Sequence, residues 1–298
     1  MKKVLCLVLA VLMLATTAVA LSACGKKNED LTAVDATDLL KEDFGIGVKK
    51  NSPELLAAVN KVVDEWVANG NMAKYEEYYT QLEDSQDGSV AAPTAGDLKV
   101  TWDFGSATEA ITVYTESGFA PFEFIHEGAV VGVDMAIMSQ VAVDMGKKLN
   151  IQDIAFDTIP TALNSDAGLA VAAAGLTITE DRATQMDFSS VYYSSTLVIV
   201  SDKELAYDSV ADLAGLKVGV QEGTSGDLII SAAKTDAGHT YETENDDGTT
   251  RTVVVKAAGA EVKQYKQYAL ALADLKAGRI DAILMDKLPA QTMLNAED

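Results

Sequence analysis

A chain of 298 residues with 45 acids against 23 lysines and arginines carries a net charge of −22, which excludes nucleic acid as a partner because phosphates would be repelled. Its two cysteines, Cys6 and Cys24, leave no thiol after residue 24 for a disulfide, a metal or a nucleophile, so the fold rests on packing without staples. The length is enough for two domains of ordinary size.

The chain starts with Lys2 and Lys3, an unbroken apolar run from Val4 to Ala20, and "LSAC" at Leu21–Cys24, which is the layout of a secretory signal. With "GKKNED" following, it resembles a bacterial lipobox, where cleavage before Cys24 leaves a thiol to carry diacylglycerol. The expectation is a signal peptide over 1–23, lipid on Cys24, a polar tether over 24–30 and an extracytoplasmic, membrane-anchored location. Loss of 1–23 removes two lysines and no acid, which takes the charge to −24.

Beyond the tether, 31–36 and 44–48 have strand character. Ser52 caps a helix with Pro53 at its first position, where a missing N–H is harmless. Leu55, Val59, Val62 and Trp66 form one apolar stripe, and Gly70 ends the helix. A shorter helix is expected over 72–79, and 81–96 has linker composition. From Ile111 the pattern alternates: strand "ITVYTE", helix 134–149, buried strand "LAVAAAGLTIT", strand 197–202, strand "LKVGVQ", loop "EGTSG" and helix 227–234. A hairpin around "NDDGTT", a helix over 268–276 and the strand "IDAILM" follow. This is the rhythm of a mainly parallel α/β protein.

Catalytic motifs are scarce. His126 and His239 lie far apart in probable loops, and no HxxxH, CxxC or GxSxG occurs. "VGVQEGTSG" lacks the GK[ST] ending of a phosphate loop. No metal or cofactor is expected. The loops after strands, where open α/β sheets hold ligands, offer a different set. Arg182 lies five residues beyond Thr177, "EGTSG" opens a helix whose N–H groups can receive an anion, Asp286 ends "IDAILM", and Glu116 precedes "GFAPFEF". An arginine fork with hydroxyls suits a carboxylate and an acid suits an ammonium, so together they would bind a zwitterion.

"GFAPFEF", "VVGVDMAIMSQVA", "AAAGLTITEDRATQMDFSSVYY", "LAGLKVGVQEGTSG" and "LKAGRIDAILMD" resemble, in order, motifs of the family 3 extracellular solute-binding proteins, the polar amino-acid receptors of ABC importers. The resemblance implies a type II periplasmic-binding-protein-like fold: two α/β lobes joined by two crossing strands and closing on ligand. It implies that Arg182 grips the α-carboxylate with help from Thr177, Thr224 and Ser225. Asp286 would take the α-ammonium, Gly175 would contribute its backbone, Phe119 and Phe156 would sandwich the side chain, and Glu116 would face its far end. Plainer readings exist for each: a surface ion pair for Arg182, a helix cap for Asp286, core for the two phenylalanines, a solvated loop acid for Glu116.

The resemblance also carries an order problem. In the family, a "YGIAVKK"-type strand and the helix after it follow the strand ending in the aspartate; here "FGIGVKKNSPELLAAVN" precedes the first motif. The sequence reads as circularly permuted, with about 30 residues around 80–110 joining the old ends, a closure whose cost grows only logarithmically with length. Lobe 1 is then expected over 44–200, including the linker, and lobe 2 over 31–43 and 201–298. "KVTWDF" at 99–104 has strand character with no place in that pattern.

The expected function is a lipid-anchored monomeric receptor, not an enzyme, that hands a polar amino acid to an ABC permease. A cationic ligand is the narrower reading, because a buried unpartnered Glu116 would welcome a cation; glutamine, through its amide, is the other. A carboxylate-based dehydratase-like enzyme on the same fold and a non-transport surface lipoprotein are the alternatives.

Overall fold

The computed structural model describes residues 26–88, 90–96, 98, 104–205, 207–244 and 249–296. The signal segment, Cys24, most of "KVTWDF" and the "NDDG" turn lie outside these residues.

The chain begins with β1 (Leu31–Asp35), β2 (Glu42–Phe44), β3 (Gly47–Lys49), α1 (Pro53–Ala68) and α2 (Asn71–Asp84). Then come β4 (Ala110–Thr115), β5 (Gly118–Phe119), β6 (Glu123–His126), β7 (Ala129–Val131), α3 (Val133–Met145), β8 (Lys148–Asp153), α4 (Ile159–Ser165) and β9 (Leu169–Ala172). Next are α5 (Glu180–Gln185), β10 (Met186–Phe188), β11 (Tyr193–Ser195), β12 (Leu197–Asp202), β13 (Lys217–Gln221) and α6 (Ser225–Ala233). The last are β14 (His239–Glu244), β15 (Thr250–Val255), β16 (Glu261–Tyr265), α7 (Tyr268–Lys276), β17 (Ala282–Asp286) and α8 (Lys287–Asn295).

Several boundaries differ from the sequence reading. α2 runs into the stretch read as linker because Leu82 continues the buried face of Met72, Tyr75 and Tyr79. α3 stops at Met145, where Gly146 takes φ 63 and closes the helix in the left-handed region; Leu149, expected on that helix, lies on β8. The strand expected over 44–48 is two, β2 and β3, because the first serves a different sheet from the second. Of the tether, Lys26 is already docked: its N–H donates to the Lys276 carbonyl and its ammonium pairs with Asp202 at 3.0 Å.

Two five-stranded sheets make two lobes, ordered β10-β3-β9-β4-β8 and β1-β12-β17-β13-β16. In each, a parallel core is flanked by antiparallel strands: β4 runs parallel to β8 and β9, and β13 to β16 and β17. The lobes are joined by β2 and β11, paired antiparallel with Glu42 opposite Ser195 and Phe44 opposite Tyr193. β12, whose first half was expected in lobe 1, pairs with β1 and β17 of the second sheet, so the crossing falls at 193–195 and not near Val200.

Residues 31–84 are built into both lobes. β1 edges the second sheet, β2 crosses, β3 sits between β9 and β10, and α1 and α2 pack with α3. The stripe Leu55, Val59, Val62 and Trp66 is buried, and the Trp66 ring stacks on Tyr75 at 4.2 Å. No described helix is long and apolar enough to cross a membrane. Trp66→Ala is expected to lower the unfolding free energy by about 3–5 kcal/mol, the usual loss for a buried tryptophan. Urea denaturation checks this, and a loss under about 1 kcal/mol would show that α1 lies outside the cooperative unit.

Candidate ligand-binding site

The carboxyl ends of β4, β9, β13 and β17 all reach the cleft between the lobes, as they must in open α/β sheets. The nine expected residues, Glu116, Phe119, Phe156, Gly175, Thr177, Arg182, Thr224, Ser225 and Asp286, border one narrow space there. Ala174 and Gln221 complete its wall.

Arg182 sits on α5, whose first turn is fixed by Thr179: the side-chain oxygen accepts from the Arg182 N–H at 3.2 Å. Its guanidinium is buried, and so is no surface ion pair. Nη1 donates to the Thr177 carbonyl at 2.8 Å in the same lobe, and Nη2 to the Gly223 carbonyl at 3.1 Å across the cleft. The Phe156 ring lies under it, 5.6 Å from centroid to Cζ. Burial weakens its hold on the proton, which nearby Glu42 and Asp286 restore.

Asp286 ends β17 at the N-cap position of α8, but its side chain makes no capping bond. It is buried, and Oδ1 has no hydrogen-bond partner among the described residues. Burial, and then the neighbouring Glu42, push its carboxyl well above the usual range, against the pull of Ser195 and Arg182. An oxygen in this state lacks a donor, which an ammonium would supply.

Glu116 is 3% exposed, so it is neither a solvated loop acid nor unpartnered. Gln221 Nε2 donates to Oε2 and Gln267 Nε2 to Oε1, both at 2.8 Å and both from the opposite lobe. Burial raises its carboxyl above the ordinary range, and these two amides offset only part of that. The argument from an unsatisfied carboxylate therefore fails, because both Glu116 oxygens have partners.

Gly175 takes φ +56, and a Cβ there would lie 2.4 Å from the Phe119 ring, so only glycine admits the turn and the contact together. Its N–H donates to Asp134 Oδ2 at 3.0 Å, which anchors the loop to α3 from behind. Burial pushes Asp134 up to about 6 and its neighbour Glu123 further, because two carboxyls this deep cannot both ionise. Phe119 stacks on Tyr268 of the other lobe, with centroids 6.5 Å apart.

The start of α6 is capped by Thr224, whose oxygen accepts from the Asp227 N–H at 3.3 Å. Ser225 Oγ donates to Glu42 Oε2 at 2.7 Å, and Thr177 Oγ1 donates to the same oxygen at 3.1 Å. Glu42, on the crossing strand β2, was missed by the sequence reading, as were Gln221 and Gln267. Gln221 ends a strand already assigned, so its position there was a usable signal; for Glu42 and Gln267 only the tertiary structure supplies one.

Donors therefore gather at Arg182 and the head of α6, and acids at Asp286 and Glu116, in a closed and desolvated cleft. Such an arrangement suits a small zwitterion. Among the described residues no group of three or more His, Cys, Asp or Glu is placed to hold a metal.

Two α/β lobes on two crossing strands, with a polar seat between them, define a two-lobed binding protein. The chain belongs to the bacterial extracellular solute-binding proteins, family 3, whose sequence profile matches residues 111–285. It is 34% identical over 119 residues to the arginine-binding extracellular protein ArtP of Bacillus subtilis, covering 40% of this chain and 46% of that one. It is 28% identical over 191 residues to the ABC transporter arginine-binding protein 1 of Escherichia coli, covering 63% and 68%. The match to the first of these spans under half of that protein's length. Among solved structures, an ancestral arginine-binding protein bound to arginine superposes with a TM-score of 0.53 at 33% identity, over 62% of this chain and 73% of the other. An ancestral arginine-binding protein bound to glutamine gives 0.52, also at 33% identity.

Asp286 makes a stability test possible. Its folded-state carboxyl lies well above the ordinary 3.8, so ionisation opposes folding and stability falls as pH rises from about 4 toward that higher value. Asp286→Asn replaces the carboxyl by an amide that cannot ionise. The ligand-free variant should melt several degrees higher than wild type at neutral pH, at about 2–4 °C per kcal/mol for a chain of this size, and no higher near pH 4. A melting gain that is the same at both pH values would show that Asp286 is not the buried charge described here.

Proposed function

We propose that the protein is an extracytoplasmic receptor that closes its two lobes on a free polar L-amino acid and delivers it to an ABC permease. The reading rests on one observation above the rest: Arg182 and an incompletely partnered Asp286 border the same buried space. The guanidinium takes the α-carboxylate, with the N–H groups at the start of α6 beside it, and Asp286 takes the α-ammonium. Phe119 and Phe156 cover the side chain. The receptor acts as a monomer, has no chemistry of its own, and is held to the cell membrane by lipid on Cys24.

A cationic side chain is the narrower proposal. Glu116 and Asp286 border the space and Glu42 lies behind its hydroxyls, so three carboxyls face one arginine. The relatives named for arginine support the same choice. Glutamine is the second candidate, since Glu116 can accept from an amide. Glutamate is disfavoured, because its side-chain charge would face Glu116.

We also read the chain as a circular permutant of its family, with lobe 1 opening near residue 44 and lobe 2 gathered from the segment before it and the segment after the second crossing. Support comes from residues 31–84, which lie before the family profile begins yet supply β3 inside the first sheet and β1 at the edge of the second.

Calorimetry of the wild type with arginine, lysine, glutamine and glutamate tests the receptor reading; binding to none of the twenty amino acids overturns it. Arg182→Ala should lose two to four decades in affinity, the consequence of about 3–5 kcal/mol for one partner of a desolvated ion pair. Arg182→Lys should also be damaging, since an ammonium lacks the flat two-point grip. Glu116→Gln should erode the preference for arginine over glutamine. Tight glutamate binding by the wild type would refute the cationic proposal.

A further inference from the structure

Glu42 does not border the ligand space, yet it holds two of the hydroxyls that do. Thr177 Oγ1 belongs to the first lobe and Ser225 Oγ to the second, and both lie within hydrogen-bond distance of one oxygen, Glu42 Oε2, on a strand that crosses between them. A hydroxyl has a single proton, and both hydroxyls donate theirs to this one carboxyl oxygen. Both protons therefore point at Glu42, and what Thr177 and Ser225 turn to the cleft is lone pairs. A carboxylate arriving there meets Arg182 and the α6 N–H groups as donors, but it must take each hydroxyl proton away from another carboxylate. That exchange of one carboxyl acceptor for another gains little, and Glu42 already lies within electrostatic reach of Arg182.

We propose that Glu42 competes with the ligand's carboxylate for the hydroxyl protons of Thr177 and Ser225 and for the field of Arg182, and so sets a ceiling on the receptor's affinity for carboxylate ligands. The inference rests on the amino-acid-receptor reading above. It gives that receptor a built-in means of release: the same three groups that tie the lobes to the crossing strand in the closed form take back their hydrogen bonds when the ligand leaves.

The test is calorimetry with arginine and with argininamide, which keeps the ammonium and the guanidinium and lacks the carboxylate; if glutamine is the tighter ligand, glutamine and its α-amide replace them. Glu42→Gln keeps the size of the side chain, removes the charge and frees hydroxyl protons. It should bind arginine about tenfold tighter or more, the scale of a hydrogen bond to a charged group, while argininamide improves by less than about threefold. Arginine affinity that is unchanged or weaker would mean that Glu42 only positions the hydroxyls, and an equal gain for both ligands would mean an effect on lobe closure; either overturns the proposal. If Glu42→Gln fails to fold, Ser225→Ala in the wild type decides: a loss below about fivefold supports competition, because the proton was already committed, and a larger loss overturns it. Wild-type protein that binds no amino acid overturns the receptor reading itself, an outcome distinct from binding that Glu42→Gln leaves unimproved.

Discussion

A guanidinium taken out of water between two lobes has to be held by something, and Arg182 is held mostly by dipoles. Its guanidinium donates to the carbonyls of Thr177 and Gly223, one in each lobe. Carbonyls orient the fork without neutralising it. Glu42 and Asp286 lie within electrostatic reach of it, and burial holds both carboxyls above the ordinary range. What the site leaves open is a donor for Asp286 Oδ1, which a ligand's ammonium would supply while its carboxylate met Arg182.

The fold delivers this arrangement through short, specific devices. Asp134 on α3 fixes the Gly175 turn by one backbone hydrogen bond, and the absent Cβ of Gly175 lets Phe119 lie against it. Phe119 in turn stacks on Tyr268 of the opposite lobe, and Glu116 beside it accepts from Gln221 and Gln267. One wall of the cleft is thus fastened to the other through groups whose partners lie across it. Because those contacts all cross the cleft, a separation of the lobes would break them together.

The crossing strands belong to the site as well as to the hinge. β2 carries Glu42, and β11 carries Ser195 directly opposite it, next to Asp286 in the electrostatics of the cleft. A rotation between lobes that changes the geometry of β2 therefore changes the hydrogen bonding of Thr177 and Ser225 at the same time. The exposed pair Lys266 with Asp157, 3.0 Å apart across the cleft mouth, is by comparison a weak latch that salt would screen.

The sequence by itself determined the alternation of strands and helices, the buried stripe of α1, and the nine residues that border the cleft. Glu116, Phe119, Thr177, Arg182, Thr224, Ser225 and Asp286 lie in the segments at or after strand ends, and the resemblance of the ordered motifs to a known family added Gly175 and Phe156. It did not determine the end of α2 or of α3, because a left-handed glycine and one more buried leucine outweigh composition. It assigned Glu116 no partner, because Gln221 and Gln267 reach it only once the second lobe folds over the first, from positions 105 and 151 residues away. Glu42 was beyond its reach for the same reason: nothing local distinguishes an acid before "DFGIG", and only the crossing of β2 between the lobes brings one of its oxygens to hydroxyls 135 and 183 residues distant.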